Sequence, residues 1–440
     1  MTLMSSENKY LVSSIDFNLD SPINVDARPN LHLEIFLFTI CLIIIMSELA
    51  ISSTNWLAIS LRNGAAIVVN LNSPEQFECL RFDEINQQQA KENNEDDLNR
   101  NLIQFTPNGE KLIINGQNKQ IYIYIQSNST SWKLQRTITV KKRASALDST
   151  NDYLFIADKS GDAYQASLSN GQDTVLTDDD CLLGHLSMLL DVKYFQAKST
   201  GEKFLITADR DEKIRLSHYP NGYNIQGYCL GHKEFVSHVK LLDHDRIISA
   251  SGDGTLRLWQ LPDCTELNVI TTKSLIETAK EIFHESECSY SEPNSSSMNE
   301  SIWKMDASNN LIALSIYAYR EHSIYVTNLS NNNQTRKITF DSKYGTIIDY
   351  TFSSFDLYLL FDSNRLFKLN LADEKVLIEE IDLKINSSHI MNNIHTLEII
   401  FKQLFKTRGQ PGDCEYFKRK NERIEQQEAK KQRKNKTQTS

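Results

Sequence analysis

The chain has 440 residues, 40% of them hydrophobic and 24% charged, with a formal net charge of −10. This is globular composition, and it excludes a collagen-like or wholly disordered chain and a protein that coats nucleic acid with its whole surface. Seven cysteines, Cys41, Cys79, Cys181, Cys229, Cys264, Cys288 and Cys414, are scattered without a C-x-x-C pair. That pattern argues for a reducing compartment and against both a disulfide framework and a zinc site.

Residues 1–45 stand apart. Ile35–Met46 reads IFLFTICLIIIM, uncharged and strongly apolar. A membrane helix needs about 20 such residues, and an ordinary signal peptide would lie nearer the start behind basic residues. A buried element, an anchor and a segment outside the working protein all remain open. We favour the last, with Met46 as the working start, because SELAISSTNWLAIS follows it like the beginning of a fold. No membrane association is expected.

From residue 46 to about 390, short β-rich runs alternate with turn residues. Seven units follow in order. NWLAISLRNGAAIVVNL (55–71) is two strands around Asn63-Gly64, a hairpin dipeptide. IQFTPNGEKLIINGQNKQIYIYI (103–125) is the second and SALDSTNDYLFIADKSGDAYQASL (145–168) the third. The fourth and fifth open at Gly184-His185 and Gly231-His232. IWKMDASNNLIALSIYAYREHSIYVTNL (302–329) is the sixth and IIDYTFSSFDLYLLFDSNRLFKLNL (347–371) the seventh. Seven units of several strands each predict an all-β, seven-bladed propeller built from WD repeats, in which ring closure covers faces that no blade can bury alone. Residues 83–99 and 283–300 read as flexible polar insertions. Residues 391–440 form a C-terminal segment, helical or disordered. Its part from Lys418 to Lys436 carries roughly nine basic and three acidic residues, a basic tail on an acidic body.

The fourth and fifth units align without a gap. ITADRDEKIRLSHY (206–219) sets Ile206 on Ile248, Asp211 on Asp253 and Arg215 on Arg257 of ISASGDGTLRLWQL (248–261), with Ser217 where the fifth unit has Trp259. His232, Ser249 and Asp253 have the residue types of a nucleophilic triad. As a WD repeat they read differently: Trp259 donates to Ser249, Ser249 to His232 and His232 to Asp253, so that buried polar groups satisfy one another. His185, Thr207 and Asp211 are expected to form the same network in the fourth blade. Gly252-Asp253-Gly254 lies in a turn, no H-E-x-x-H or P-loop is present, and no Gly-rich nucleotide loop follows a strand. We therefore expect no catalytic residues, no metal and no cofactor bound by this chain.

On a strand, alternate residues share a face. Lys213, Arg215 and Ser217 therefore fall together, with Arg210, Asp211 and Glu212 crowding the turn before them. Arg210, Lys213 and Arg215 are candidate contacts to acids on a partner. The competing reading is an ordinary blade, since Arg257 holds the same place. Lys141, Lys142 and Arg143 form a second basic cluster, suited to phosphates or to a solvated loop.

ADKSGDAY (157–164), GHLSMLLDV (184–192), TADRDEKIRLSHYP (207–220) and CLGHKEFVSHV (229–239) closely resemble the WD-repeat, non-catalytic subunit of tRNA (guanine-N7) methyltransferase, as does the basic segment YFKRKNERIEQQEAKKQRK (416–434). The resemblance spans roughly residues 47–436, and residues 1–45 have no counterpart in it. It implies a heterodimer with a separate catalytic subunit that binds S-adenosylmethionine and methylates a guanine in the tRNA variable loop. This chain is then a nuclear scaffold that keeps the enzyme active, with some presence in the cytoplasm open. It also implies that the DRDEKIR face docks the methyltransferase, and that Lys141, Lys142, Arg143, Lys418, Arg419 and Lys420 lie near tRNA. The alternative is a generic propeller adaptor, such as a ubiquitin-ligase substrate receptor. The Trp-Asp-x-Arg box of such receptors is missing here, since Gln260, Leu261 and Pro262 follow Trp259.

Overall fold

A computed structural model describes residues 48–381, apart from 62–63, 75–76, 83–101, 117–118, 129–130, 170, 199, 285–299, 364 and 374. The apolar run 35–46, most of both polar insertions and the basic C-terminal segment lie outside the described residues. Among those described, no helix is long and apolar enough to cross a membrane.

Among the described residues, seven sheets, each with four antiparallel strands, make the seven blades of a β-propeller. Their inner strands, in chain order, are Leu49–Ile51, Ile103–Phe105, Ala144–Ser149, Leu189–Gln196, Val236–Leu241, Ile302–Ser308 and Ile347–Ser353. Their outer strands are Phe77–Arg81, Ser131–Thr139, Cys181–Gly184, Ile225–Cys229, Thr265–Thr271, Gln334–Phe340 and Leu377–Ile381. Gly184 thus ends the third blade, and His185 leads into the fourth.

The middle strands are buried on both faces, as Lys203–Asp209 and Leu311–Ile316 show. A blade is sandwiched between its neighbours, so these strands read as apolar runs rather than as an alternation. Mixed clusters fill the seams. Trp259 and Leu261 of blade 5 pack with Phe204, Ile206 and Leu216 of blade 4.

The ring closes between blades 1 and 7, each built from one continuous segment. Leu49, Leu57, Ile59 and Ile67 pack on Tyr358, Leu360 and Leu366. The Asp349 carboxylate accepts the Leu49 N–H at 2.6 Å. The same clip recurs between other blades: Asp148 accepts from Tyr194, Asp191 from Val239 and Asp306 from Phe352, at 2.7, 2.7 and 2.9 Å. Lys193, Lys240 and Lys304 line the central cavity and pair with Asp191, Asp306 and Asp349. The cavity therefore carries no surplus positive charge for an anion. Burial disfavours both members of the Lys240–Asp306 pair, but each holds the other charged: the lysine is held above its ordinary range and the aspartate below.

Three elements escaped the sequence reading. Thr174–Val175 pairs in parallel with the outer strand of blade 2, and Lys280–His284 pairs in parallel with that of blade 6. A short helix, Thr272–Thr278, joins blade 5 to the second of these strands. Phe283 and His284, read as the start of a flexible insertion, are therefore strand residues.

Candidate interaction site on the fourth and fifth blades

In blade 5 the Trp259 indole N–H donates to Ser249 Oγ at 2.9 Å. Ser249 Oγ lies 2.8 Å from His232 Nε2, and His232 Nδ1 lies 3.2 Å from Asp253. Asp253 also accepts from the Lys233 N–H and the Thr255 hydroxyl. Burial pushes its carboxyl up, but His232, Thr255 and the Lys233 N–H together outweigh burial and hold it well below the usual carboxylate range. Ser249 is fully buried. No substrate reaches it, so the set is structural and not a nucleophilic triad.

Blade 4 keeps the frame with a different acid. His185 Nε2 lies 2.8 Å from Thr207 Oγ1, and His185 Nδ1 lies 2.9 Å from Asp209. The expectation of Asp211 in this network is corrected: the acid sits two residues earlier. Ser251 of blade 5 aligns with Asp209, and its hydroxyl accepts the Asp253 N–H across the turn. Asp209 does that turn work in blade 4, accepting from the Asp211 and Lys213 N–H groups, and serves His185 as well. Burial lowers the His185 pKa, with the Asp209 hydrogen bond opposing. Ser217, in the place of Trp259, is fully buried, and its hydroxyl makes no hydrogen bond among the described residues. Aromatic contacts of Phe155, Tyr194 and Tyr219 fill the seam with blade 3.

The arginines separate the blades further. The registers correspond residue for residue: Arg215 faces Tyr228 and Ser217 faces Ile225, while Arg257 faces Val269 and Trp259 faces Glu266, each after the same bulge. In blade 5 Arg257 forms an ion pair with Glu266. In blade 4 the place of that acid is taken by Ile225. Arg215 donates instead to the Gly184 carbonyl at 3.2 Å and lies beside Tyr228, which it faces across the strands. At 8% exposure Arg215 is buried. Strand Ile214–His218 is covered on both faces, so Arg215 and Ser217 do not join Lys213 on an exposed face. Arg215 braces Tyr228 from below rather than projecting outward. Lys213 is exposed and Arg210 half-buried, both at the turn. Glu212 in that turn holds φ +72°, a left-handed conformation that Gly254 takes at φ +73° in blade 5.

The exposed feature is apolar. Tyr223 (82% exposed), Ile225, Tyr228 and Leu230 (63%) lie in or beside the outer strand of blade 4, and Leu267 (48%) and Val269 lie on that of blade 5. The chain just after the blade 4 strand touches blade 5, because a side chain at Gly231 would meet Arg257 Nη1 at 2.5 Å and Glu266 at 3.0 Å. The gap-free match of the two repeats stops at Tyr219 and Leu261, before this strip; continued, it sets Ile225 on Leu267, and only a one-residue gap in the loop brings Ile225 against Glu266.

Elsewhere, Lys141 and Lys142 are exposed between blades 2 and 3 beside Arg143, and Lys141 pairs with Asp178 at 2.6 Å. Lys418, Arg419 and Lys420 lie outside the described residues. Among the described residues no three His, Cys, Asp or Glu side chains are placed to hold a metal.

Residues 170–356 match the family model described as tRNA methyltransferase TRM82 WD40 domain. These residues run from the end of blade 3 into blade 7 and include the whole strip. Over 223 residues, 47% of this chain and 51% of the relative, the chain is 35% identical to the tRNA (guanine-N(7)-)-methyltransferase non-catalytic subunit wdr4 of Danio rerio. It is 31% identical to that of Dictyostelium discoideum over 48% of this chain and 47% of the relative. The chain thus spans about half the length of the curated relatives it matches. A chain in the crystal structure of the mitotic checkpoint complex shares the propeller fold, with a TM-score of 0.52 at 13% identity over 82% of this chain and 99% of that one. Over residues 170–356, the chain is similar to the WD-repeat family described as tRNA methyltransferase TRM82 WD40 domain, in keeping with the resemblance in its sequence.

Proposed function

We propose that this chain is the non-catalytic subunit of tRNA (guanine-N7) methyltransferase and that it docks the catalytic subunit on the outer face of blades 4 and 5. The observation that carries the reading is the apolar strip Tyr223, Ile225, Tyr228, Leu230, Leu267 and Val269, inside the region matched to the family. Exposed apolar groups rimmed by charge mark interaction sites. Lys213 and Arg210 form the charged rim and meet acids of the partner, while Arg215 holds Tyr228 in place.

The chemistry belongs to the partner, which binds S-adenosylmethionine and methylates the guanine. This chain acts by population: a scaffold that binds only the ordered form of the enzyme raises the fraction of that form. Lys142, Arg143 and the segment with Lys418, Arg419 and Lys420 supply charge for tRNA phosphates, with Lys141 partly neutralised by Asp178. The complex works in the nucleus.

Co-expression of the full chain with the methyltransferase subunit tests this. The expected result is a stable complex that methylates tRNA faster than the catalytic subunit alone. Separate elution, with unchanged activity on mixing, would contradict it.

A further inference from the structure

Beneath this strip lies a pair of thiols that the docking role does not use. Cys229 ends the outer strand of blade 4 and is buried. Cys264 is half-buried in the turn before the outer strand of blade 5. Both are free and share one apolar cluster at the seam. Cys264 is aimed at blade 4: a side chain on Gly227 would have its first carbon 3.1 Å from Cys264 Sγ. Gly227 and Cys229 lie two residues apart, on one face of their strand. The two thiols are close enough to shift one another's titration, and the Cys264 S–H donates to the Pro262 carbonyl at 3.7 Å.

We propose that Cys229 and Cys264 are a redox modification site, which a small organic disulfide such as oxidised glutathione converts to a disulfide joining blade 4 to blade 5. The two thiols have unequal parts. The neighbouring Cys229 holds the Cys264 thiol below its usual range, whereas Cys264 and burial push Cys229 up. The other described cysteines are less reactive: burial raises Cys79, and it pushes Cys181 up to about 11. The half-buried Cys264 thiolate therefore attacks first. A bond forms between its sulfur and one sulfur of the small disulfide, and the other sulfur leaves as a thiolate. Cys229 then loses its proton and attacks the Cys264 sulfur, expelling the second small thiolate. Two protein thiols become one disulfide, and the small disulfide is reduced to two thiols. The site exists whether or not this face docks a methyltransferase.

The test uses the full chain, reduced and then incubated with oxidised glutathione, quenched by alkylation and mapped without reduction. The expected result is a linked peptide pair containing Cys229 and Cys264, preceded by a transient glutathione adduct on Cys264, and a higher melting midpoint for the linked chain. Cys264→Ser, at the half-buried position, should leave Cys229 unmodified. A stable Cys264 adduct beside a free Cys229, or alkylation of both after prolonged oxidation, would overturn the proposal. So would glutathione on Cys229 in the Cys264→Ser variant.

Discussion

Blades 4 and 5 share a frame and differ in what they leave unfinished. Blade 5 joins Trp259, Ser249, His232 and Asp253 in one chain of hydrogen bonds and pairs Arg257 with Glu266. Blade 4 keeps the histidine and the arginine but lacks the tryptophan and has Ile225 in place of the acid. It also holds Glu212 in a left-handed conformation that blade 5 gives to glycine. Docking of a partner on this face, as proposed, would give the exposed isoleucine an apolar contact.

The largest effect is expected where blade 5 is made to resemble blade 4. Trp259→Ser removes the largest fully buried side chain and leaves Ser249 short of a donor. It should cost about 3–5 kcal/mol in urea unfolding, and a loss below about 1 kcal/mol would undo the structural role of the network. In blade 4, Asp209→Ala strands His185 and the N–H groups of Asp211 and Lys213. It should cost about 2–3 kcal/mol, more than Asp211→Ala, since buried partners are left unpaired. The reverse order would restore Asp211 as the acid.

Acid should separate the blades too. The folded pKa of His185 lies below its ordinary value because the ring is buried. Below about pH 6.5 the unfolded chain takes up a proton that folded blade 4 resists, so stability is lost as pH falls from there. Asp253, with its folded pKa depressed, keeps its contribution until the pH falls below about 3.9. Melting at pH 7.5 and 5.5 should show the loss, and His185→Asn should reduce it. The smallest effect is Glu212→Gly, which relieves the left-handed strain and should raise stability by about 1 kcal/mol.

The architecture was legible because repeats are periodic and their turns local. Seven β-rich units and two Gly-His pairs required no tertiary information. The strip was not legible, because exposure depends on which strand lies outermost, and Ile225 and Leu267 look like core residues until the ring is built. Arg215 misled for the same reason: alternation on a strand predicts one wet face, but neighbouring blades cover both. Asp209 was missed because an ungapped alignment pairs turn residues by position, while a carboxylate serves whichever donors it reaches. The parallel strands Thr174–Val175 and Lys280–His284 carry little local signal, since each depends on a distant partner.

Arg215→Glu is a poor probe of docking, since it would bury a carboxylate facing the Gly184 carbonyl and damage the blade itself. Ile225→Glu is the direct one. It gives blade 4 the acid that Glu266 supplies in blade 5, and it puts a charge in the middle of the apolar strip. The measurement is the affinity of the full-length variant for the methyltransferase subunit, with its melting temperature taken alongside. We predict a melting temperature no lower than that of the natural chain and binding weaker by at least about tenfold, or 1.4 kcal/mol. A stable variant that binds the subunit as tightly as before would contradict docking on this face.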